Sequence, residues 1–164
     1  MLGCLLLLSF IFFFSKAFLF LVFLGGTVAT SFLLVIIGTN SIGIEFVTLP
    51  ALVFLYKYGW VDASLFAVVA LFVYMFITRS VGINMFLAFG IVPLLLLALV
   101  PLKPLGIFPL GMILSIVGNG IFTVITIMFG TTHLHKRLIY FATHVVWSWF
   151  LFGTFGERIL QAVM

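Results

Sequence analysis

The sequence is short of charge. Three acidic and seven basic side chains occur in 164 residues, 6% of the chain against 66% hydrophobic. A soluble globular protein carries about 25% charged residues, and so few ionic groups cannot cover a water-exposed surface of this size. A water-soluble enzyme and a disordered chain are excluded on that ground. A nucleic-acid binder needs clustered Lys and Arg, and a net charge of +4 without such clusters excludes that too. There is one cysteine, Cys4, so no internal disulfide forms. What is present is apolar: the mean hydropathy is +1.51, and the twenty-two phenylalanines suit a lipid-facing surface and packing between helices. The chain reads as an integral, multi-pass protein of the cell membrane.

A helix needs about 20 apolar residues to cross the hydrocarbon core. Apolar runs are nearly everywhere, so the breaks between them carry the information. They fall at Lys16, Gly38 to Ser41, Lys57 to Asp62, Arg79-Ser80, Pro101 to Pro104, His133 to Arg137, and Gly156 to Arg158. Five good spans remain, at about 17–38, 60–78, 82–100, 105–130 and 138–156, with a weaker one at about 42–58 that contains Pro50. Such a proline is tolerated where a neighbouring helix re-satisfies the freed carbonyl. Segment 2–15 is too short to cross alone; it either extends the first helix or lies along the interface. It lacks a basic start and no polar stretch follows it, so a cleaved signal peptide is not expected. Barrel strands alternate apolar and polar residues, and Phe10 to Phe14 and Leu94 to Leu97 do not. The expectation is all-α: one domain over residues 1–164, a polytopic bundle of about six transmembrane helices.

With six spans and the N-terminus inside, Lys16, Lys57, Lys103 and Arg158 are cytoplasmic, and Arg79, Lys136 and Arg137 are outside. The excess of basic residues inside is small but has the expected sign. This topology brings Glu45, Arg79, Asn84, His133, His135 and His144 to the same outer third of the membrane. Polar groups at membrane depth are costly and face the bundle interior or a water-filled cavity, so several at one depth suggest a pocket opening outward. The alternative for Arg79, His133 and His135 is an ordinary interfacial loop.

Two stripes sharpen this. The fifth span carries Gly111, Ser115, Gly118, Asn119, Thr123 and Thr126 at helical spacing, and the sixth carries Tyr140, His144, Trp147, Ser148 and Leu151. Two such faces on consecutive antiparallel helices are expected to meet. Between them a ligand could stack on Trp147 and be held by Asn119 and His144; the alternative is plain inter-helix hydrogen bonding. On the first span Gly25, Gly26, Ala29 and Thr30 form small-xxx-small pairs, a close-packing face for a helix of this chain or of a partner.

Catalytic chemistry finds little support. His133 and His135 are two residues apart and do not share a helix face, and no Cys, Asp or Glu lies nearby to complete a metal shell. A Ser-His-Asp arrangement needs a buried acid at the histidine, yet Asp62 is expected at the other side. Paired carboxylates are absent, since Glu45, Asp62 and Glu157 are scattered, and phosphate-binding glycine loops are missing. No enzyme activity, metal or cofactor is expected.

The run Glu45-Phe46-Val47-Thr48-Leu49-Pro50-Ala51-Leu52, followed by Tyr58-Gly59, resembles the second-helix signature of substrate-binding S components of energy-coupling-factor (ECF) vitamin transporters. Gly82 to Pro93, with Asn84, Phe89, Gly90 and Pro93, is similar to that family's fourth helix. Thr143-His144 through Phe152-Gly153 and Phe155-Gly156 resembles the last helix of S components and of the related rod-shape protein MreD. The resemblance covers about two thirds of the chain, from Glu45 on. It implies six helices with both termini cytoplasmic, and a small ligand such as a vitamin bound near the outer surface. It also implies docking on a transmembrane coupling protein driven by two cytoplasmic ATPases. By position it touches Glu45, Asn84, Asn119, His144 and Trp147. The sequence departs from the family at Trp60-Val61-Asp62, where a Pro and small residues are usual, and on the first span, where Gly25-xxx-Ala29 stands in for an Ala-xxx-Ala face.

Two functions are expected from these readings. One is a substrate-binding subunit of S-component type, with Glu45, Arg79, Asn84, Asn119, His144 and Trp147 around the ligand. The other is a non-catalytic structural or accessory subunit of a membrane complex, MreD-like, docking through Gly25, Gly26, Ala29 and Thr30.

Overall fold

A computed structural model of the chain describes residues 2–37, 46–80, 83–128 and 134–164; for residues 2–14 and 83–85 it describes the backbone alone. Glu45 and His133 lie outside the described residues, and Asn84 is described by its backbone only. Among the described residues there is no strand. The helices are α1 (Leu2–Ile37), α2 (Thr48–Lys57), α3 (Trp60–Ile77), α4 (Ile83–Leu99), α5 (Ile107–Met128) and α6 (Leu134–Val163). A 3-10 turn, Val100–Leu105, continues α4, and π-helical stretches interrupt α5 at Leu114–Gly118 and α6 at Phe152–Gly156.

Five of these helices are long and apolar enough to cross a membrane, so the chain is a multi-pass, all-α membrane bundle. Its outer surface agrees with lipid as the solvent. Phe18, Leu21, Ile36, Phe76, Phe86, Leu94 and Val146 are all largely exposed, a load of bare apolar side chains that water would not tolerate on a monomer. Segment 2–15 extends the first helix rather than forming a separate one.

The weakest expected span turns out to be the centre. Helix α2 has 10 residues, about 15 Å at 1.5 Å per residue, half a hydrocarbon core. Leu49, Pro50, Ala51, Leu52, Val53, Phe54 and Leu55 are all buried, which an apolar run without periodicity permits on every side. Pro50 is the third residue of α2, so its missing N–H removes no intrahelical hydrogen bond; the neighbour-satisfied kink expected at this proline is not needed. Phe54 stacks on Phe66 of α3 at 5.1 Å between ring centres, and Phe20 meets Phe66 edge-on at 5.2 Å. Such pairs contribute about 0.5–1.5 kcal/mol each beyond the area they bury.

Side-chain contacts fix one end of the bundle. Lys16 pairs with Asp62 at 2.5 Å, and Lys57 donates to the Val163 carbonyl. Lys103 donates to the carbonyls of Leu55 and Tyr56 at 3.1 and 3.3 Å, while the Tyr56 hydroxyl donates to the Lys103 carbonyl at 2.6 Å. Lys103 thus caps the last carbonyls of α2, where a cation is favoured. This lysine end gathers the start of α3, the ends of α2 and α6 and the turn after α4. The other ends of these helices, with Thr48, Thr78 and Leu134, lie opposite.

Gly59 and Gly106 begin α3 and α5 at the lysine end with φ of 96° and 92°. Both ψ values lie near 180°, a region open essentially to glycine alone. Deeper in, the ring of Phe152 fills the space in which a side chain on Gly111 would begin. That contact lets α5 and α6 approach closely, and it sits beside both π stretches.

Candidate functional site

The last helix begins earlier than its charges suggest. His133 to Arg137 reads as a break, but α6 starts at Leu134, so His135, Lys136 and Arg137 occupy its first turns. A charged residue ends the part of a helix inside hydrocarbon; it does not end the helix. At 30 residues, α6 is about 45 Å long, beyond the hydrocarbon thickness of roughly 30 Å.

This extension delivers Arg137 and Tyr140 to the rim of a half-enclosed cavity of about 180 Å³ at the end opposite the lysines. Five helices line it: Val47, Thr48 and Ala51 at α2; Ala67, Leu71, Tyr74, Met75 and Thr78 at α3; Ala88, Ile91, Val92 and Leu95 on α4; Leu114, Gly118, Asn119 and Phe122 on α5; and Arg137 and Tyr140 on α6. Its walls are mainly apolar. The polar contributions are Thr48, Tyr74, Thr78, Ser80, Asn119, Arg137 and Tyr140.

Asn119 is the best-defined of these. Its Nδ2 donates to the Ser115 carbonyl at 3.1 Å and to His144 Nδ1 at 2.9 Å. A carbonyl can only accept, so the Ser115 contact fixes which way the amide points. Both amide hydrogens are then used within the protein, and Oδ1 is the group Asn119 can offer to the cavity. Because His144 accepts at Nδ1, its neutral ring carries the proton at Nε2. Ser148 Oγ lies 3.4 Å from the same nitrogen. His144 is fully buried and stands behind Asn119 rather than on the cavity wall.

The two stripes do meet, as α5 and α6 contact each other through Asn119 and His144, but the π stretch in α5 divides the first one. It adds one residue to the helical repeat, turning the later part of the helix by about 100°. Ser115 is buried within it and Thr123 and Thr126 are buried beyond it, while Asn119 is the polar side chain of α5 that lines the cavity.

Arg137 is held by two rings: its guanidinium carbon lies 4.9 Å from the centre of Tyr140 and 5.4 Å from that of Phe122. Sequence reasoning placed Arg137 in a loop and missed it as a cavity residue. The signal was present in the spacing of Arg137 and Tyr140, three residues apart and in helical phase with His144.

The other expected ligand residues are dispersed. Arg79 is exposed, with φ of 53°, and does not line the cavity. Its N–H bonds the Phe76 carbonyl at 3.3 Å and that of Ser80 bonds the Met75 carbonyl at 2.9 Å, the paired closure of a helix end in which the residue after the cap is left-handed. Trp147 is half-buried and stacks on Phe150 at 5.8 Å, away from the cavity lining. Glu45 and the Asn84 side chain fall outside the described residues.

On α1 the four small residues divide. Gly26 faces inward, where an added Cβ would stand 2.7 Å from the Phe46 ring, and the Thr30 hydroxyl donates back to the Gly26 and Thr27 carbonyls. Gly25 and Ala29 are exposed, with open space at Gly25. Gly26 is therefore a packing residue of this chain, while Gly25 and Ala29 remain on the outer face. Among the described residues no group of three His, Cys, Asp or Glu is placed to hold a metal ion. His135 and His144 are nine positions apart on one helix, roughly 13.5 Å along its axis.

No protein-family model matches the chain, and no curated protein or solved structure matches it.

Proposed function

We propose that this protein binds a small molecule in the cavity between α2 and α6, as a substrate-binding membrane subunit of the kind its resemblance to S components implies. The observation that supports this reading is the cavity itself, mainly apolar in its walls, with Asn119, Arg137 and Tyr140 among the polar residues that line it. Ligand sites have this composition: apolar walls with few polar groups that fix orientation. In this reading the chamber faces the outside of the cell membrane, the lysine end is cytoplasmic, and the exposed Gly25 and Ala29 face of α1 meets a membrane partner.

Native mass spectrometry of the full chain, extracted gently from its membrane, tests this. The expected result is a small-molecule adduct that disappears in Ala88→Leu, which fills the cavity from α4. An adduct-free protein with other subunits attached would instead support a structural role.

A further inference from the structure

The chamber is graded from floor to mouth, and the grading says which way round a ligand sits; the inference rests on the binding reading above. We propose that the ligand is an amphipathic molecule of single-ring size, seated with its apolar end on the chamber floor and an O–H or N–H donor at Asn119 Oδ1.

Depth follows from helix direction. Helices α3 and α5 start at the lysine end and run toward the mouth, while α2 and α4 end at the lysine end. Of the lining residues, Ala51, Ala67, Leu71, Leu95 and Leu114 therefore lie on the deep side, and Thr48, Thr78, Ser80 and Arg137 near the mouth. On α3 the two sides, Ala67 and Thr78, are eleven residues apart, about 16.5 Å along the axis. The named floor residues are all apolar, and Ala51, Ala67, Leu71 and Leu114 are buried. A polar group of the ligand placed among them gives up water without a partner, whereas an apolar group gains from burial there.

Size limits what reaches the floor. A cavity of about 180 Å³ is close to the ~150 Å³ apolar cavity that holds one benzene molecule. One ring with a short substituent fits; a cage-shaped or multi-ring apolar group does not.

Asn119 stands between floor and mouth, five residues beyond Leu114 on α5. Both of its amide hydrogens are committed, to the Ser115 carbonyl and to His144 Nδ1. Among the described residues no group donates to its Oδ1, and Asn119 is only half-buried. The chamber thus offers an acceptor at a fixed height above an apolar floor. A ligand that displaces water from this oxygen without supplying a donor leaves it unpaired and loses affinity.

The test is equilibrium binding of radiolabelled 4-ethylphenol to the full chain in lipid nanodiscs, with protein-free nanodiscs as the blank for partition into lipid. The competitors are 4-ethyltoluene, in which a methyl group replaces the hydroxyl, and 4-adamantylphenol, which keeps the hydroxyl and enlarges the apolar end. Wild type should bind 4-ethylphenol saturably and prefer it about fivefold over 4-ethyltoluene, the worth of one neutral hydrogen bond. 4-Adamantylphenol should not compete. Asn119→Leu should cancel the fivefold preference, and Ala67→Leu should exclude 4-ethylphenol while still admitting phenol, which has no ethyl group to place on the floor. The wild-type ranking decides the matter even if a variant fails to fold. Competition by 4-ethyltoluene or 4-adamantylphenol equal to that of 4-ethylphenol itself overturns the donor or the size assignment, while the cavity stands as a binding site. Absence of saturable 4-ethylphenol binding overturns the ligand class, and a small-molecule adduct found by native mass spectrometry alongside that result would leave the binding reading in place.

Discussion

Asn119 on α5 donates its amide N–H to His144 Nδ1 on α6 at 2.9 Å. The bond ties together the helices that bring Asn119, Arg137 and Tyr140 to the cavity, and it orients the Asn119 amide there. His144 therefore acts on the cavity through Asn119. Replacing His144 by Ala is expected to lower the stability of the bundle and to weaken small-molecule binding no more than Asn119→Ala does. In a double-mutant cycle the two changes should couple by about 0.6–1.7 kcal/mol, the range measured for hydrogen bonds between membrane helices. Strict additivity in unfolding measurements would show that the contact has no energetic role.

The Phe152 ring of α6 packs directly over Gly111 of α5. A methyl group on residue 111 has to displace a ring that is itself buried, and overpacking of this kind costs about 1–3 kcal/mol. Gly111→Ala should lower the thermal midpoint in detergent, and Phe152→Leu in the same chain should recover part of the loss. A neutral Gly111→Ala would mean the helices can separate freely at this level.

Gly59 and Gly106 are constrained by backbone alone. No atom lies within 4 Å of a Cβ placed on Gly59, and at Gly106 the nearest is Glu157 Oε1 at 3.6 Å, so neither site lacks room. Their φ values of 96° and 92° still predict a loss of about 1–3 kcal/mol for alanine at either. Gly90→Ala, equally roomy and inside α4, is the control and should be neutral or stabilising. Equal midpoints for all three variants would contradict the turn geometry at the lysine end.

Arg79 is the reverse case, a residue with a side chain where glycine is preferred. Its left-handed conformation (φ of 53°) closes α3. Arg79→Gly should raise the thermal midpoint, by about 1 kcal/mol equivalent, and leave the small-molecule adduct seen by native mass spectrometry in place, since Arg79 does not line the cavity. Lost binding would return Arg79 to the site.

The five long helices were legible because hydrocarbon imposes a length that few sequences satisfy by accident. The expected 60–78 and 105–130 correspond to Trp60–Ile77 and Ile107–Met128 within two residues at each end. Charge was a poorer guide: Arg137 ended a hydrophobic run but not a helix. The burial of α2 was hidden because a run apolar on all sides looks the same facing lipid or facing protein. The cavity was half visible. Stripe spacing found Asn119 and paired it with His144, but it put Trp147 at the ligand: spacing fixes a helix face and not a depth, and Trp147 lies seven residues, about 10.5 Å along α6, beyond Tyr140.

The central claim is that Asn119 faces a chamber that small polar molecules can reach, and cysteine labelling tests it most directly. In a Cys4→Ser background, Asn119→Cys and Val124→Cys would be exposed in nanodiscs to a small, water-soluble methanethiosulfonate. Val124 lies on the same helix and is exposed on the outside of the bundle, where hydrocarbon keeps a thiol protonated and unreactive. The account predicts rapid modification of Asn119→Cys and little modification of Val124→Cys. Labelling of Asn119→Cys no faster than that of Val124→Cys would contradict it.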